Sequence, residues 1–465
     1  MSAEGLQASI EKMRRERVPD VAIATFEHYY RQLEAGESGL IPEDAIEPVR
    51  DLQDADALPE IDAPLDQAVV IKLNGGLGTS MGMHRAKSLL EVKDGLTFLD
   101  VIARQVLALR EASGARLPLV LMNSFHTRED SLALLARYED LAADVPFDFV
   151  QHKEPKLLVD GLEPVEWPPD PALEWCPPGH GDIYPALLTS GMLATLLERG
   201  YRYAFMSNSD NLGAVLDPRI LAWLAAEAIP YVAEVTERTP ADRKGGHIAV
   251  LKETGGLILR ETAQTPEEDM DAFTDVDRHP FFHVNNLWVD LQALDRLLGE
   301  RGGVMGLPMI VNEKTVDPAD SSTPAVYQLE TAMGAAIGVF TQRRSASGTS
   351  ETARAIRVPR ARFVPVKKTN DLLVLRSDAY ALRDGARIEL ASGRDRPPLV
   401  ELDDDYFKLL DDFDARFPAG PPSLAPSERL TVRGDVTFGR DVTVVGDVTV
   451  EGPRQVEDGA LLSSA

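Results

Sequence analysis

The chain has 465 residues, room for two or three domains, and its 44 % hydrophobic and 26 % charged residues are the balance of a globular protein in water. Its 48 Lys+Arg stand against 75 Asp+Glu, a net charge of −27. That excludes a nucleic-acid backbone as the main partner and requires a local basic site for any anionic substrate. The single cysteine, Cys176, precludes an intrachain disulfide and points to a reducing cytoplasm. The first residues lack the apolar core of a signal peptide, and no apolar run approaches the ~20 residues of a membrane span.

Residues 1–55 read as helical and charged. A helix start at Pro19-Asp20 precedes Ala22, Phe26, Tyr29 and Leu33 at helical spacing, and the pattern stops near Gly36 and Gly39. A packing or interaction segment is expected there.

From about residue 66, short apolar runs alternate with helical patterns. Strands are expected at 69–73, 119–122, 203–207 and 231–235, and Phe98, Val101, Ile102, Gln105, Val106 and Leu109 form one face of a helix. Continuous apolar runs read as buried parallel strands, and β/α alternation predicts a doubly wound α/β domain. Ligands of such a domain bind at the carboxyl ends of its strands. Two stretches, the acidic 266–278 and the Ser/Thr/Arg-rich 341–354, read as mobile, solvated loops.

The last part carries a repeat. Leu430, Val436, Val442 and Val448 recur every six positions, each followed two residues later by Val432, Phe438, Val444 or Val450. A six-residue period predicts a short parallel β-helix, with hairpins turning at Gly-Asp as the competing reading.

The sharpest local signal is Lys72-Leu73-Asn74-Gly75-Gly76-Leu77-Gly78-Thr79-Ser80-Met81-Gly82, which follows the strand Ala68-Val69-Val70-Ile71. Glycines after a buried strand expose backbone N–H groups to phosphate or base edges, and Lys87 adds a positive charge. The spacing is not that of a dinucleotide fingerprint, because Met81 stands where the third glycine belongs. Nor is it a Walker A loop, because Ala86 precedes Lys87. An NAD-dependent oxidoreductase is therefore disfavoured.

The residues themselves carry a resemblance. The glycine segment with Lys87-Ser88, Pro177-Pro-Gly-His-Gly-Asp-Ile-Tyr184, Ser207-Asn-Ser-Asp-Asn-Leu-Gly-Ala214, Asn285-Asn-Leu-Trp288, Gln328-Leu-Glu-Thr-Ala332 and Phe363-Val-Pro-Val-Lys367 resemble, in this order, the eukaryotic-type UTP–glucose-1-phosphate uridylyltransferases. The likeness spans nearly the whole chain. It implies a Rossmann-like (GT-A-like) nucleotidyltransferase core over 56–375, after the N-terminal segment 1–55. A C-terminal domain, 376–465, would hold a short left-handed parallel β-helix at 430–453.

The resemblance implies transfer of a uridylyl group from UTP to glucose 1-phosphate with Mg²⁺, in line and without a covalent intermediate, in the cytoplasm. It implies that Leu73, Asn74, Gly75 and Gly76 cradle base and ribose through their main chain. Gln151, whose amide offers a donor and an acceptor, would read the uracil edge, with Gly179 nearby. Lys87 and Lys367 would contact the phosphates, and Asp210 would bind the nucleotide through the metal. His180, Asn208, Glu261 and Asn285 or Asn286 would hold the sugar phosphate.

Lys368 stands where relatives usually carry a small hydroxyl residue, so it competes with Lys367 for the phosphate-facing role; Lys367 is the expectation. His84-Arg85-Ala86 and His283-Val284 also depart from the family's pattern. Relatives commonly add a strand after Gly459-Ala-Leu-Leu462 that serves in assembly; a homo-oligomer is an open expectation. A UDP-N-acetylhexosamine or broader UDP-sugar pyrophosphorylase, and a non-catalytic UDP-sugar-binding relative, are the alternatives. The joint presence of Lys87, Asp210 and Lys367 speaks against the last.

Overall fold

The run Ala68–Asn74 alternates its side chains between two hydrophobic cores. Ala68 and Val70 enter one and Val69 and Ile71 the other, as Tyr203/Phe205 and Ala204/Met206 do on the neighbouring strand. A strand buried on both faces needs helices on both sides. Helix Phe98–Ser113 covers the first face, and helices Ile183–Thr189, Met192–Glu198 and Leu291–Glu300 cover the second. The first of these is fixed at its start by a capping box. The Thr97 hydroxyl accepts from the Asp100 N–H (3.1 Å), and the Asp100 carboxylate accepts from the Thr97 N–H (3.0 Å).

The computed structural model describes residues 2–239, 242–341, 352–391 and 393–463. Its main sheet has the order Gln53–Asp54, Arg354–Arg357, Tyr231–Glu237, Phe281–Asp290, Tyr203–Asn208, Ala68–Asn74, Leu119–Asn123, Asp148–Val150. The last four are mutually parallel. Phe281–Asp290, for which the apolar runs gave no expectation, lies antiparallel between Tyr203–Asn208 and Tyr231–Glu237. The sheet is therefore mixed rather than wholly parallel. The four parallel strands end together, and the glycine loop, Gln151 and the segment after Asn208 leave the sheet at that edge.

The N-terminal helices Ser2–Arg15 and Asp20–Glu34 bury Ala22, Phe26 and Tyr29 in a satellite core with Leu157, Met309 and Leu329. Beyond them the chain pairs with the main sheet through Ile46–Pro48 and Gln53–Asp54. The acidic stretch 266–278 is not the solvated loop its composition suggests. It forms a 3-10 turn and the helix Met270–Thr274, anchored by the fully buried Phe273. Of the 341–354 loop, residues 342–351 lie outside the described residues.

In the C-terminal part, both repeat positions are buried, from Leu430 and Val432 through Val448 and Val450. The strands Ser427–Arg433, Thr443–Glu451 and Leu461–Ser463 pair in parallel, as do Val436–Phe438 and Arg454–Val456. Partners stand 18 residues apart, as with Leu430 opposite Val448 and Val436 opposite Arg454. Hairpins would pair antiparallel. Among the described residues, no helix is long and apolar enough to cross a membrane.

Candidate active site

Gly75 and Gly76 follow the central strand and differ in what stands over them. A Cβ on Gly75 would meet the Gln151 side-chain oxygen at 2.6 Å, so only glycine lets that amide come down onto the loop. A Cβ on Gly76 would meet nothing within 4 Å, so the main chain there is open to a ligand. Ser124 Oγ donates to the Gly75 carbonyl (3.0 Å), and the Lys87 N–H donates to the Gly76 carbonyl (3.0 Å). Leu73 is half-buried. The Asn74 side chain lies beneath the loop, its amide donating to Asn123 (2.7 Å) and Ser131 (2.8 Å), so only the main chain of Asn74 is free to cradle anything. A cavity of about 420 Å³ between Asp148–Val150 and the Glu16–Pro19 turn shares Gln151 but contains none of Lys87, Asp210 and Lys367.

Three distant charged positions converge beside the loop. The Lys87 ammonium donates to the Asp210 carboxylate (2.7 Å) and to the Val366 carbonyl. The Val366 N–H in turn donates to the Asp210 carbonyl (3.3 Å). Asn211 and Pro365 form a bridge between the two segments. Lys367 is therefore brought to Lys87 and Asp210 by backbone stitching. Its neighbour Lys368 pairs instead with Asp404 (3.1 Å) on the surface, whereas the charge of Lys367 acts on Glu261.

Gly179 has φ 78°, and a Cβ there would meet the Thr331 carbonyl at 2.6 Å. That turn fixes His180, whose Nδ1 accepts from the Met333 N–H (2.9 Å). The ring proton is therefore on Nε2, and burial pushes the His180 pKa down to about 4, so the imidazole is neutral at physiological pH. His283 is buried beside it and is pushed down to about 3 by burial and then by His180.

Asn208 and Asn285, both half-buried, are joined by a 2.9 Å hydrogen bond, and Asn285 has φ 59° where the strand's register shifts. Glu261 caps a short 3-10 turn, and its carboxylate lies against Gly246. Burial raises the Glu261 carboxyl above its ordinary range, and Lys367 opposes that rise.

Asn286 departs from the expectation. It is fully buried, donates to Glu234 (2.9 Å) and accepts from Asn211 (3.3 Å), so it holds the framework and does not face a sugar. Its network was not read from the sequence. Glu234, with no exposure, pairs bidentately with Arg362 (2.8 and 2.6 Å) and accepts from the Trp288 indole (2.8 Å). Asn211 donates to the Arg362 carbonyl (3.1 Å) and accepts from the Val364 N–H (2.8 Å). The available signal was a lone charge inside an apolar run, Val-Ala-Glu-Val for Glu234 and Val-Ile-Lys-Leu for Lys72, because such charges must find partners.

Among the described residues no three His, Cys, Asp or Glu side chains are grouped to hold a metal. The donor set at the strand ends is the single carboxylate of Asp210, 23 % exposed. That fits a cation such as Mg²⁺, which takes one or two carboxylates and otherwise phosphate and water, and does not fit an all-protein metal cage.

A glycine-lined loop at the strand ends of a mixed α/β sheet, beside a lysine–carboxylate pair and the segment that carries a second lysine, is the architecture of a nucleotidyltransferase. A model of the family UTP–glucose-1-phosphate uridylyltransferase matches residues 23–445, and the chain belongs to that family. It is 41 % identical over 378 residues to the Solanum tuberosum enzyme of that name, covering 81 % of this chain and 75 % of the relative. With the Hordeum vulgare enzyme it shares 40 % over 403 residues, 86 % of this chain and 79 % of the relative. Among solved structures, a point mutant of UDP-glucose pyrophosphorylase from Leishmania major in complex with UDP-glucose superposes with a TM-score of 0.91 at 45 % identity, covering 99 % of this chain and 98 % of that one. A Trypanosoma brucei structure gives 0.88 at 41 %, with 99 % and 100 % covered.

Proposed function

We propose that the chain transfers the uridylyl group of UTP to glucose 1-phosphate, giving UDP-glucose and pyrophosphate. The observation that carries this reading is the convergence of Lys87, Asp210 and the 363–367 segment beside the open main chain of Gly76. It is supported by membership of the uridylyltransferase family over most of the chain. The uracil lies against Gly75 and Gly76, its edge read by the Gln151 amide. The triphosphate runs toward Lys87 and Lys367. Asp210 is the residue to hold Mg²⁺, which when bound supplies charge neutralisation across the phosphates. The sugar phosphate is oriented by Asn208 and Asn285, by the Nε2–H of neutral His180, and by Glu261 at the hydroxyls.

A phosphate oxygen of glucose 1-phosphate attacks the α-phosphorus in line, and pyrophosphate leaves. No side chain need form a covalent bond, so the chain's contribution is positioning and charge stabilisation. Lys87 and Lys367 meet the charge that grows on the departing pyrophosphate. The pairing of Lys368 with Asp404 favours Lys367 in that role.

The same reading divides the chain at about 55 and 375, takes 430–453 as a short left-handed parallel β-helix, and puts the enzyme in the cytoplasm. The parallel pairing at 18-residue offset supports the β-helix.

The reverse reaction tests catalysis against mere binding. Incubated with UDP-glucose, pyrophosphate and Mg²⁺, the protein is expected to produce UTP and glucose 1-phosphate, separated by ion-exchange chromatography. A protein that binds UDP-glucose in calorimetry but releases no UTP would be the non-catalytic relative instead.

A further inference from the structure

We propose that Lys72 is a positioning residue for the reaction: its buried ammonium ties together both ends of the 207–214 segment and so fixes where Asp210 stands. Lys72 lies in the central strand Ala68–Asn74, opposite Ser207 on the parallel neighbour. It is 1 % exposed. Its Nζ donates to Ser207 Oγ (2.7 Å), where the segment leaves the sheet, and to the Ala214 carbonyl (2.7 Å), where the segment returns. Between these two anchors lie Asn208 and Asp210. The segment is also tied from outside by Lys87 at the Asp210 carboxylate (2.7 Å), Asn285 at Asn208 (2.9 Å), Gln105 at the Leu212 carbonyl (3.1 Å), the Ser209 N–H at the Leu73 carbonyl (3.1 Å), the Asn211 amide and the Val366 contact, each of which holds one point of it. Among the described residues, Lys72 alone bridges its two ends through one atom.

Packing does not require a cation at this position. Val70 on the same face and Ile102 and Val106 of the covering helix are apolar, and a methionine of similar length would fill the space without the cost of burying an ion. The charged groups acting on the ammonium are Glu234 and Asp210, which favour it, and Arg362, which opposes it. The Phe205 ring lies 5.6 Å from it. Burial pushes its pKa down to about 7. A costly buried amine that grips both ends of one turn acts on that turn's geometry. Small displacements there matter, because positioning errors of ~1 Å can cost on the order of 10²-fold in rate.

This inference rests on Asp210 acting at the phosphates, and the experiment separates the two. Amide hydrogen exchange over 207–214 is followed in the full chain without substrate, and kcat, KM for UTP and half-saturating Mg²⁺ are measured in parallel. Lys72→Met is expected to speed exchange in 207–214 by at least about tenfold, with the rest of the sheet unchanged. It should lower kcat by at least about 30-fold and raise half-saturating Mg²⁺, with KM for UTP within about threefold. Unchanged exchange in the segment, or kcat within about threefold of the parent, overturns the proposal. Should Lys72→Met fail to fold, Ser207→Ala decides. Removing one acceptor should move exchange and kcat the same way by at least about threefold, and no change in either overturns it. If Asp210→Asn keeps its activity, the metal reading fails, while the exchange data still decide whether Lys72 holds the segment.

Discussion

At Gly75 a single methyl group decides whether Gln151 keeps its place. The contact of 2.6 Å leaves no room for a Cβ, so Gly75→Ala must push the amide aside. KM for UTP should rise at least about tenfold while the folded state is retained, because a misaligned hydrogen-bonding edge costs on the order of 1–3 kcal/mol; steady-state kinetics with circular dichroism checks this. The two adjacent lysines make a sharper test. Lys367→Met should lower kcat by at least ~10²-fold, as loss of a charge-stabilising donor does, whereas Lys368→Met removes only an exposed pair and should stay within about threefold. Reversed effects would exchange their roles. For His180 the sign of the pH effect follows from its depressed pKa. The folded ring titrates near 4 against an ordinary 6.5, so the unfolded chain binds more protons between these values. Its contribution to stability is complete above about pH 6.5 and is lost as pH falls toward 4. Nitrogen NMR at pH 6 should show a neutral Nε2–H tautomer; a ring titrating near 6.5 would contradict the burial argument.

At the scale of elements, what was legible in the sequence was local. The strand before the glycine loop, the helix that begins after Thr97 and the six-residue repeat each announce themselves through neighbouring residues. Phe281–Asp290 did not. Asn285 and Asn286 interrupt its apolar pattern, and its place between two strands is fixed by partners 44 to 87 positions away. The short helix Met270–Thr274 was hidden because one buried Phe273 outweighs its acidic neighbours. Asn286 was misread for the same reason: only tertiary pairing with Glu234 distinguishes it from Asn285. The parallel-paired C-terminal strands supply a stability test. Phe438 is fully buried and stacks on Phe417 with ring centroids 5.0 Å apart. Phe438→Ala should cost about 3–5 kcal/mol in urea unfolding of that part. A loss below about 1 kcal/mol would mean that these strands do not depend on this contact.

At the scale of the molecule, a chain of net charge −27 would, on the proposed reading, meet two anionic substrates with cations gathered at one sheet edge. The lysines come from positions 87 and 367, and the segment leading to Lys367 is held by Asn211 and by Arg362, which pairs with the buried Glu234. The sequence motifs named the charged groups but not the framework that aims them, because that framework exists only through pairings across distant strands. The central claim is uridylyl transfer between UTP and glucose 1-phosphate. Its most direct measurement is pyrophosphate release across UTP, ATP, GTP and CTP, each paired with glucose 1-phosphate or N-acetylglucosamine 1-phosphate, with and without Mg²⁺. The account predicts release with UTP and glucose 1-phosphate, abolished by chelation of the metal. Preference for the N-acetylated sugar or for another nucleotide, or full turnover in the presence of chelator, would contradict it.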